Sequence, residues 1–303
     1  MRYQDVLIHT HALSDRERGL LEASPPPRAR IDLSDQIWIG PLSDQIAQSV
    51  IEECDKRWFG PIPHARLSRQ LYSYVRELSL PNENWLWDHD HILEAAVAHS
   101  RLIHPTSAGL LCAARIALSM SGDIERIYPA VRSGISLEVF LSPTRQRNWL
   151  TDADAEVLRE LVPRYPLPLP PRVHNALWHH EYAARTYYIN HRWLFVCTGL
   201  EALVHTERHG STKQFSKRVP ALAAELGISI SAGDAEEAYD VRCRLAHGLS
   251  LLEKEPGGPS PSQVQLYERI EDILRLAVLR SMRDSRFADI FHDDKSIRTR
   301  WEA

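Results

Sequence analysis

The stretch Tyr239-Asp240-Val241-Arg242-Cys243-Arg244-Leu245-Ala246-His247-Gly248 holds the side chains best suited to chemistry, an arginine and a histidine with four residues between them. Arginine is a permanent cation whose planar fork of donors fits a phosphate, and histidine moves a proton near neutral pH. Together they suffice for metal-free attack on a phosphodiester. The sequence contains no phosphate-cradling glycine loop and no nucleophile-elbow serine, which removes the main support for ATPase and serine-hydrolase readings.

The local pattern places the pair on a helix. Ala235, Ala238, Val241 and Leu245 recur at helical spacing, and Gly248 stands where a helix takes its left-handed C-terminal cap. His247 therefore falls in the last turn. At about 100° per residue, Arg242 and His247 lie roughly 140° apart around the axis. They converge if the last turn unwinds at Gly248, or if a second copy of the helix supplies the complementary residue across a symmetric interface. The spacing favours the second, a composite site in a homodimer.

This segment resembles the Arg-(four to six residues)-His motif of HEPN domains, in particular of the Apea-like HEPN family. Ahead of it, Arg192-Trp193-Leu194-Phe195-Val196-Cys197-Thr198-Gly199-Leu200-Glu201-Ala202-Leu203-Val204 is similar to that family's first long helix with its Leu-Glu-Ala-Leu signature, and Phe215-Ser216-Lys217-Arg218-Val219 resembles the start of its second. The three blocks stand in the family's order between Asn175 and Arg283. The resemblance implies a C-terminal bundle of four to five helices. For members that cleave RNA it implies a metal-independent, cofactor-free endoribonuclease whose two protomers bring both motifs into one cleft. His247 would then act as general base or acid on the ribose 2′-hydroxyl and the leaving oxygen, while Arg242 stabilises charge on the phosphorane and a 2′,3′-cyclic phosphate remains. Many such proteins have toxin or antiviral-defence roles. The chain departs from the nuclease pattern at Cys243, because those motifs usually carry Asn, Asp or Ser directly after the arginine. The competing class is a non-catalytic HEPN module that binds RNA, a nucleotide or a protein partner or regulator. In a third reading, Arg242 and His247 only stabilise the bundle.

Other residues bear on the same site. Glu201 is a carboxylate in an otherwise apolar stretch, and either pairs with an arginine such as Arg218 or orients Arg242 or His247. Lys213, Lys217, Arg218 and Arg244 are the densest basic grouping near the motif, forming a solvated face or contacting RNA phosphates. Two metal readings are weaker. Asp88, His89, Asp90 and His91, with His99 and His104 downstream, cannot all face one ion from a helix and read as a solvated helix start. His179-His180-Glu181 lacks the second histidine of a zinc-protease helix, since Ala184 stands in its place. No metal is expected.

Composition bounds the rest. The chain has 303 residues, 44% of them hydrophobic and 25% charged, ample for a core in two domains or one large one. A net charge of -4 gives no global cationic field, so an RNA partner must be drawn by a local basic patch. Cys54, Cys112, Cys197 and Cys243 are scattered and read as reduced, mostly buried thiols. No apolar run is long enough for a membrane span and the opening residues lack a secretory core, so a cytoplasmic location is expected.

The elements that must position the pair follow the proline-rich run 163–171, which sets the expected boundary between residues 1–165 and 172–303. Beyond it, apolar spacing predicts a helix of about 30 residues from Asn175 to His209, a second from Thr212 to Leu226 with a kink or restart at Pro220, the motif helix, and a fourth from Ser262 to Met282. Phe287 to Trp301 adds a turn or two, and 255–261 reads as a surface loop. The expected fold class is mostly α: the C-terminal helical bundle, preceded by an α+β domain of unknown role. In that domain, alternation in 29–33 and 36–39 suggests one or two strands, and Ile135–Phe140 another. Helices are expected from Pro41 to Cys54, Leu93 to Arg101, Leu110 to Met120 and Thr151 to Val162.

Overall fold

A computed structural model of the chain describes residues 2–10, 29–58, 71–78, 92–103, 105, 109–132, 152–186, 189–207, 209–248 and 260–302. The protein is mostly helical and, among those residues, carries one antiparallel sheet. It divides into two compact units, the first reaching Pro166 and the second taking up the chain at Leu167. The expected strand Ile135–Phe140 and the cluster Asp88 to His91 with His104 lie outside the described residues, as does most of the loop 255–261.

In the first unit the sheet comprises β1 (Arg2–Thr10), β2 (Ile31–Asp32), β3 (Ile37–Gly40), β4 (Leu71–Leu78), β5 (Gly109–Leu118) and β6 (Ile124–Arg132), in the order β2-β3-β4-β1-β5-β6. Its helices are α1 (Asp44–Trp58), α2 (Ile92–Ile103) and α3 (Asp152–Leu161). Successive side chains of a strand point to opposite faces, so β1 sends Leu7 one way and Val6 and Ile8 the other. Leu7 packs with Ile37, Ile39, Tyr74 and Ala113 and with Leu93, Val97 and Leu158 of α2 and α3. Val6 and Ile8 pack with Trp38, Val75, Ala114 and Ile116 and with Val50, Ile51 and Cys54 of α1. Burying each such side chain contributes about 1.5–3 kcal/mol. One ion pair is sealed into the sheet: Arg115 on β5 donates from Nε and Nη2 to the carboxylate of its register partner Asp5 on β1, at 2.6 and 2.9 Å.

The helix expected over Leu110 to Met120 is instead the strand β5. This strand lies between β1 and β6 and is buried on both faces, so its apolar residues form a nearly continuous run with no alternation. Such a run does not distinguish strand from buried helix, and pairing on both edges overrides the helix preference of its alanines. The sheet is also larger than the one or two strands expected in its first part, with β1, β4 and β6 carrying no clear alternating signature.

The second unit contains α4 (Pro171–Arg185), α5 (Ile189–Val204), α6 (Ser211–Glu225), α7 (Ala232–Ala246), α8 (Pro261–Arg283), α9 (Ser285–Asp289) and α10 (Asp294–Trp301). The single helix expected from Asn175 to His209 is thus two. The break falls at Thr186, whose backbone is extended (φ -92°, ψ 133°) and whose hydroxyl donates to the Tyr182 carbonyl at 2.7 Å. The two halves run antiparallel, since Arg172 at the start of α4 donates to the carbonyls of Ala202 in the last turn of α5 and His205 just beyond it, at 2.9 and 2.6 Å. The apolar stripe continues across the break because both helices bury their faces in the same core. Gly199 on α5 makes this possible: a Cβ there would lie 2.8 Å from Leu274 Cδ2 on α8 and 3.2 Å from His179 Cβ on α4. Helix α6 runs through Pro220 without a restart.

Capping residues set the ends of the next helices. Ser231 and Asp234 form a reciprocal capping box at the start of α7, and Ser260 and Gln263 do the same for α8. The C-terminal segment is more ordered than its thin apolar content suggested. Phe287, Phe291, Ile297 and Trp301 are buried, with the Phe291 ring 5.5 Å from both Phe287, edge to face, and Trp301, tilted.

Candidate functional site

Helix α7 buries Ala235, Ala238 and Val241 of the stripe that the spacing identified, together with Tyr239, while Leu245 is half-buried, and this fixes where the remaining side chains point. Trp193 of α5 donates from its indole nitrogen to the Ala238 carbonyl at 3.0 Å, locking α7 against α5. Arg242 turns toward α5 and meets Glu201. Its Nη2 donates to Glu201 Oε2 at 2.8 Å, and the Tyr239 hydroxyl donates to Oε1 at 2.8 Å. The guanidinium also lies 5.7 Å from the Tyr239 ring centre. Glu201 therefore has the orienting geometry toward Arg242 and does not pair with Arg218.

His205 completes this node. Its Nδ1 stands 3.8 Å from Glu201 Oε1, and its Nε2 lies 3.2 Å from the Ser211 carbonyl at the start of α6. The loop that carries it is tied by Gln214, whose amide oxygen accepts from the backbone N–H groups of Thr206 and Glu207 and whose amide nitrogen donates to the carbonyls of Glu207 and His209.

The electrostatics follow from partial burial around one carboxylate. Burial works against the Arg242 charge, but Glu201, Tyr239 and Cys243 together outweigh it and hold the guanidinium above its ordinary pKa. Burial, reinforced by Glu201, pushes the Tyr239 phenol up to about 12, so it remains a donor. Burial lowers the His205 pKa, with Arg218 and Arg242 acting in the same direction and Glu201 opposing them. Burial likewise lowers that of His179, which also feels Glu201.

His247 sits elsewhere. It is the C-terminal cap of α7 with near-helical backbone (φ -89°, ψ 12°), and its N–H bonds to the carbonyls of Cys243 and Arg244. Gly248 then takes φ +78°, the left-handed position after the helix. The last turn stays wound, so the angle of roughly 140° between Arg242 and His247 persists. His247 is exposed and, among the described residues, lines an open depression of about 480 Å³ with Glu237, Asp240, Cys243 and Arg244. Arg242 is absent from that lining. The structure thus does not bring Arg242 and His247 together within one protomer. Of the two routes to convergence, unwinding of the last turn at Gly248 is not seen.

The basic grouping separates. Arg218 is fully buried, donating to the Val204 carbonyl at 2.5 Å, to Thr206 Oγ1 at 3.0 Å and to Gln214 Oε1 at 2.8 Å, and pairing with Glu302. It cannot present its charge to a phosphate, which corrects its place among the RNA-contact candidates. Lys217 is exposed but donates to the Glu302 carbonyl at 2.5 Å. Lys213, in the first turn of α6, and Arg244, beside His247, are exposed.

Other groups considered at the outset have internal duties. His180 and Glu181 are buried, His180 facing Glu271 at 3.9 Å and Glu181 accepting from Arg185 at 2.6 Å. Cys54, Cys112 and Cys197 are buried, and Cys243 is half-buried. Among the described residues no group of three or more His, Cys, Asp and Glu side chains is placed to hold a metal, and no helix is long and apolar enough to cross a membrane.

Sequence reasoning missed His205 and the hydrogen bond from Tyr239 to Glu201. The signals were present: Glu201 and His205 are four apart on a helix end, and Tyr239 and Arg242 are three apart, the spacings at which helical side chains meet. Family models, curated proteins and solved structures yield no match to this chain, so the geometry of the Glu201 node and of the exposed His247 is what a functional reading has to stand on.

Proposed function

We propose that the helical unit is a HEPN-type domain that works as a homodimeric, metal-independent endoribonuclease. The observation that supports this most is the state of Arg242. Glu201 holds it at 2.8 Å and the Tyr239 ring lies beside it, yet 27% of its side chain stays exposed. Such a guanidinium is preorganised for a phosphate, and preorganised charge needs no reorientation when charge develops in the transition state. His247 is exposed at the end of the same intact helix, free to serve as the proton-transfer group of a partner's site. In the reaction, His247 takes the proton of the ribose 2′-hydroxyl or protonates the departing 5′-oxygen, while Arg242 of the other protomer holds the phosphorane oxygens.

A second reading is favoured by one observation. Cys243, a weak hydrogen-bonding group, follows the arginine where a stronger polar residue would support catalysis. In that case the same surface binds RNA, a nucleotide or a protein partner without turnover.

Incubating the protein and its His247→Ala variant with cellular RNA in EDTA separates the two. Cleavage that leaves cyclic-phosphate ends and disappears in the variant supports the nuclease. RNA bound but intact moves the reading to a binding module.

A further inference from the structure

The Glu201 node contains a histidine that the motif does not include, and its position gives the node a second property. At neutral pH the node is balanced: Arg242 carries one positive charge, Glu201 one negative, and Tyr239 is held as a neutral donor. A phosphodiester approaching the open edge of Arg242 meets a cation already countered by its neighbour. A further positive charge at the carboxylate would change that balance.

His205 is placed to supply it. Both ring nitrogens face acceptors, Nε2 the Ser211 carbonyl at 3.2 Å and Nδ1 the Glu201 oxygen at 3.8 Å. A neutral imidazole has one donor and one acceptor, so it satisfies only one of these partners, whereas the imidazolium donates to both. Among the described residues, the charged and titratable groups around His205 are Glu201 on α5, Arg218 on α6, and Tyr239 and Arg242 on α7, with Arg172 of α4 bound to its carbonyl and His179 of α4 sharing Glu201. The two arginines oppose its protonation and Glu201 favours it. A bound anion would add to the favourable side.

We propose that the Glu201 node is a proton-linked phosphodiester site, in which His205 is a positioning residue that takes up a proton as Arg242 takes up the phosphate. This rests on the reading of Arg242 as the cation that faces RNA, and it specifies how that site is regulated. The proton on His205 faces Oε1 of Glu201, which the Tyr239 hydroxyl also uses, and offsets the carboxylate charge that counters Arg242 at Oε2, so the node passes from neutral to net positive. By linkage, the anion raises the affinity of His205 for its proton by the same factor that the proton raises affinity for the anion.

The sign follows from burial, which keeps His205 neutral at pH 7 and sets its protonation below the ordinary histidine range. Binding therefore strengthens on acidification. The test uses a 2′-O-methyl oligouridylate, which cannot be cleaved and whose charge is constant over the range. Its affinity for the full chain is compared between about pH 7.5 and about pH 5, where linkage predicts tightening on the order of tenfold. His205→Asn is expected to flatten most of this dependence while the other histidines keep theirs. In the unaltered protein, NMR titration of His205 with and without the oligonucleotide reads the linkage directly, and its pKa should rise on binding. Binding with the same pH slope in His205→Asn, or a His205 titration that the oligonucleotide leaves unmoved, overturns this proposal alone. Absence of binding at either pH overturns it together with the RNA reading.

Discussion

Arg242 on α7 and Glu201 on α5 meet at 2.8 Å, and this contact divides the two motif residues into different structural roles. Arg242 is part of the packing between two helices, whereas His247 is exposed at the helix end and, among the described residues, lines an open depression. Removing each should therefore give different thermodynamic results.

Glu201→Ala leaves the Tyr239 hydroxyl and the Arg242 guanidinium without their shared acceptor, and is expected to destabilise the protein by about 1–3 kcal/mol. His247→Ala is expected to stay within about 0.5 kcal/mol of the original, as exposed positions do. Urea unfolding monitored by tryptophan fluorescence checks both. A large loss at His247 would mean that it holds structure and would weaken its assignment as a proton-transfer group.

Arg218→Ala should be the most damaging change among the basic residues near the motif. It leaves Glu302 without its partner and takes the Arg218 donor from the Val204 carbonyl and Thr206 Oγ1, a loss of about 1–3 kcal/mol. Lys213→Ala, on an exposed first turn, should leave the unfolding midpoint unchanged and, if the RNA reading holds, reduce the salt dependence of oligonucleotide binding.

Gly199→Ala tests the close approach of three helices. The added methyl would sit 2.8 Å from a terminal carbon of Leu274, itself fully buried and unable to swing into solvent. Overpacking of this kind costs about 1–3 kcal/mol, and shortening the neighbour with Leu274→Val should recover part of it. A thermal melt in which Gly199→Ala is neutral would show that α5 and α8 can move apart freely.

His99 in the first unit makes stability depend on pH. Burial lowers its pKa from 6.5 to about 4. The unfolded chain therefore binds the proton first, and the contribution, full above pH 6.5, is lost as pH falls toward 4. The loss amounts to about 3 kcal/mol across that window. Urea midpoints measured along the window should fall, and less steeply in His99→Phe; parallel slopes would show that His99 is not responsible.

How much of this was legible in the sequence depended on how each element is buried. Helix α7 could be read because one face alone is apolar, giving Ala235, Ala238 and Val241 a clean period, with Gly248 marking its end. The break at Thr186 was hidden because α4 and α5 contribute to one core, so the stripe passes through the turn unchanged. Strand β5 was hidden because both of its faces are buried. At the site, Glu201 could be singled out as a carboxylate among apolar neighbours, but its choice of Arg242 over Arg218 depends on the path of α6. That path seals Arg218 inside the core, and no local spacing encodes it.

The pairing of Arg218 with Glu302 spans 84 residues and bears on the order in which the helical unit can be completed. At about 5–20 residues per second, a ribosome exposes Arg218 on the order of ten seconds before its counter-ion. During that interval the oxygens of Val204, Thr206 and Gln214 are already present but the Glu302 carboxylate is not, so enclosing the guanidinium early would leave it without its counter-ion until the residue that caps α10 has been made.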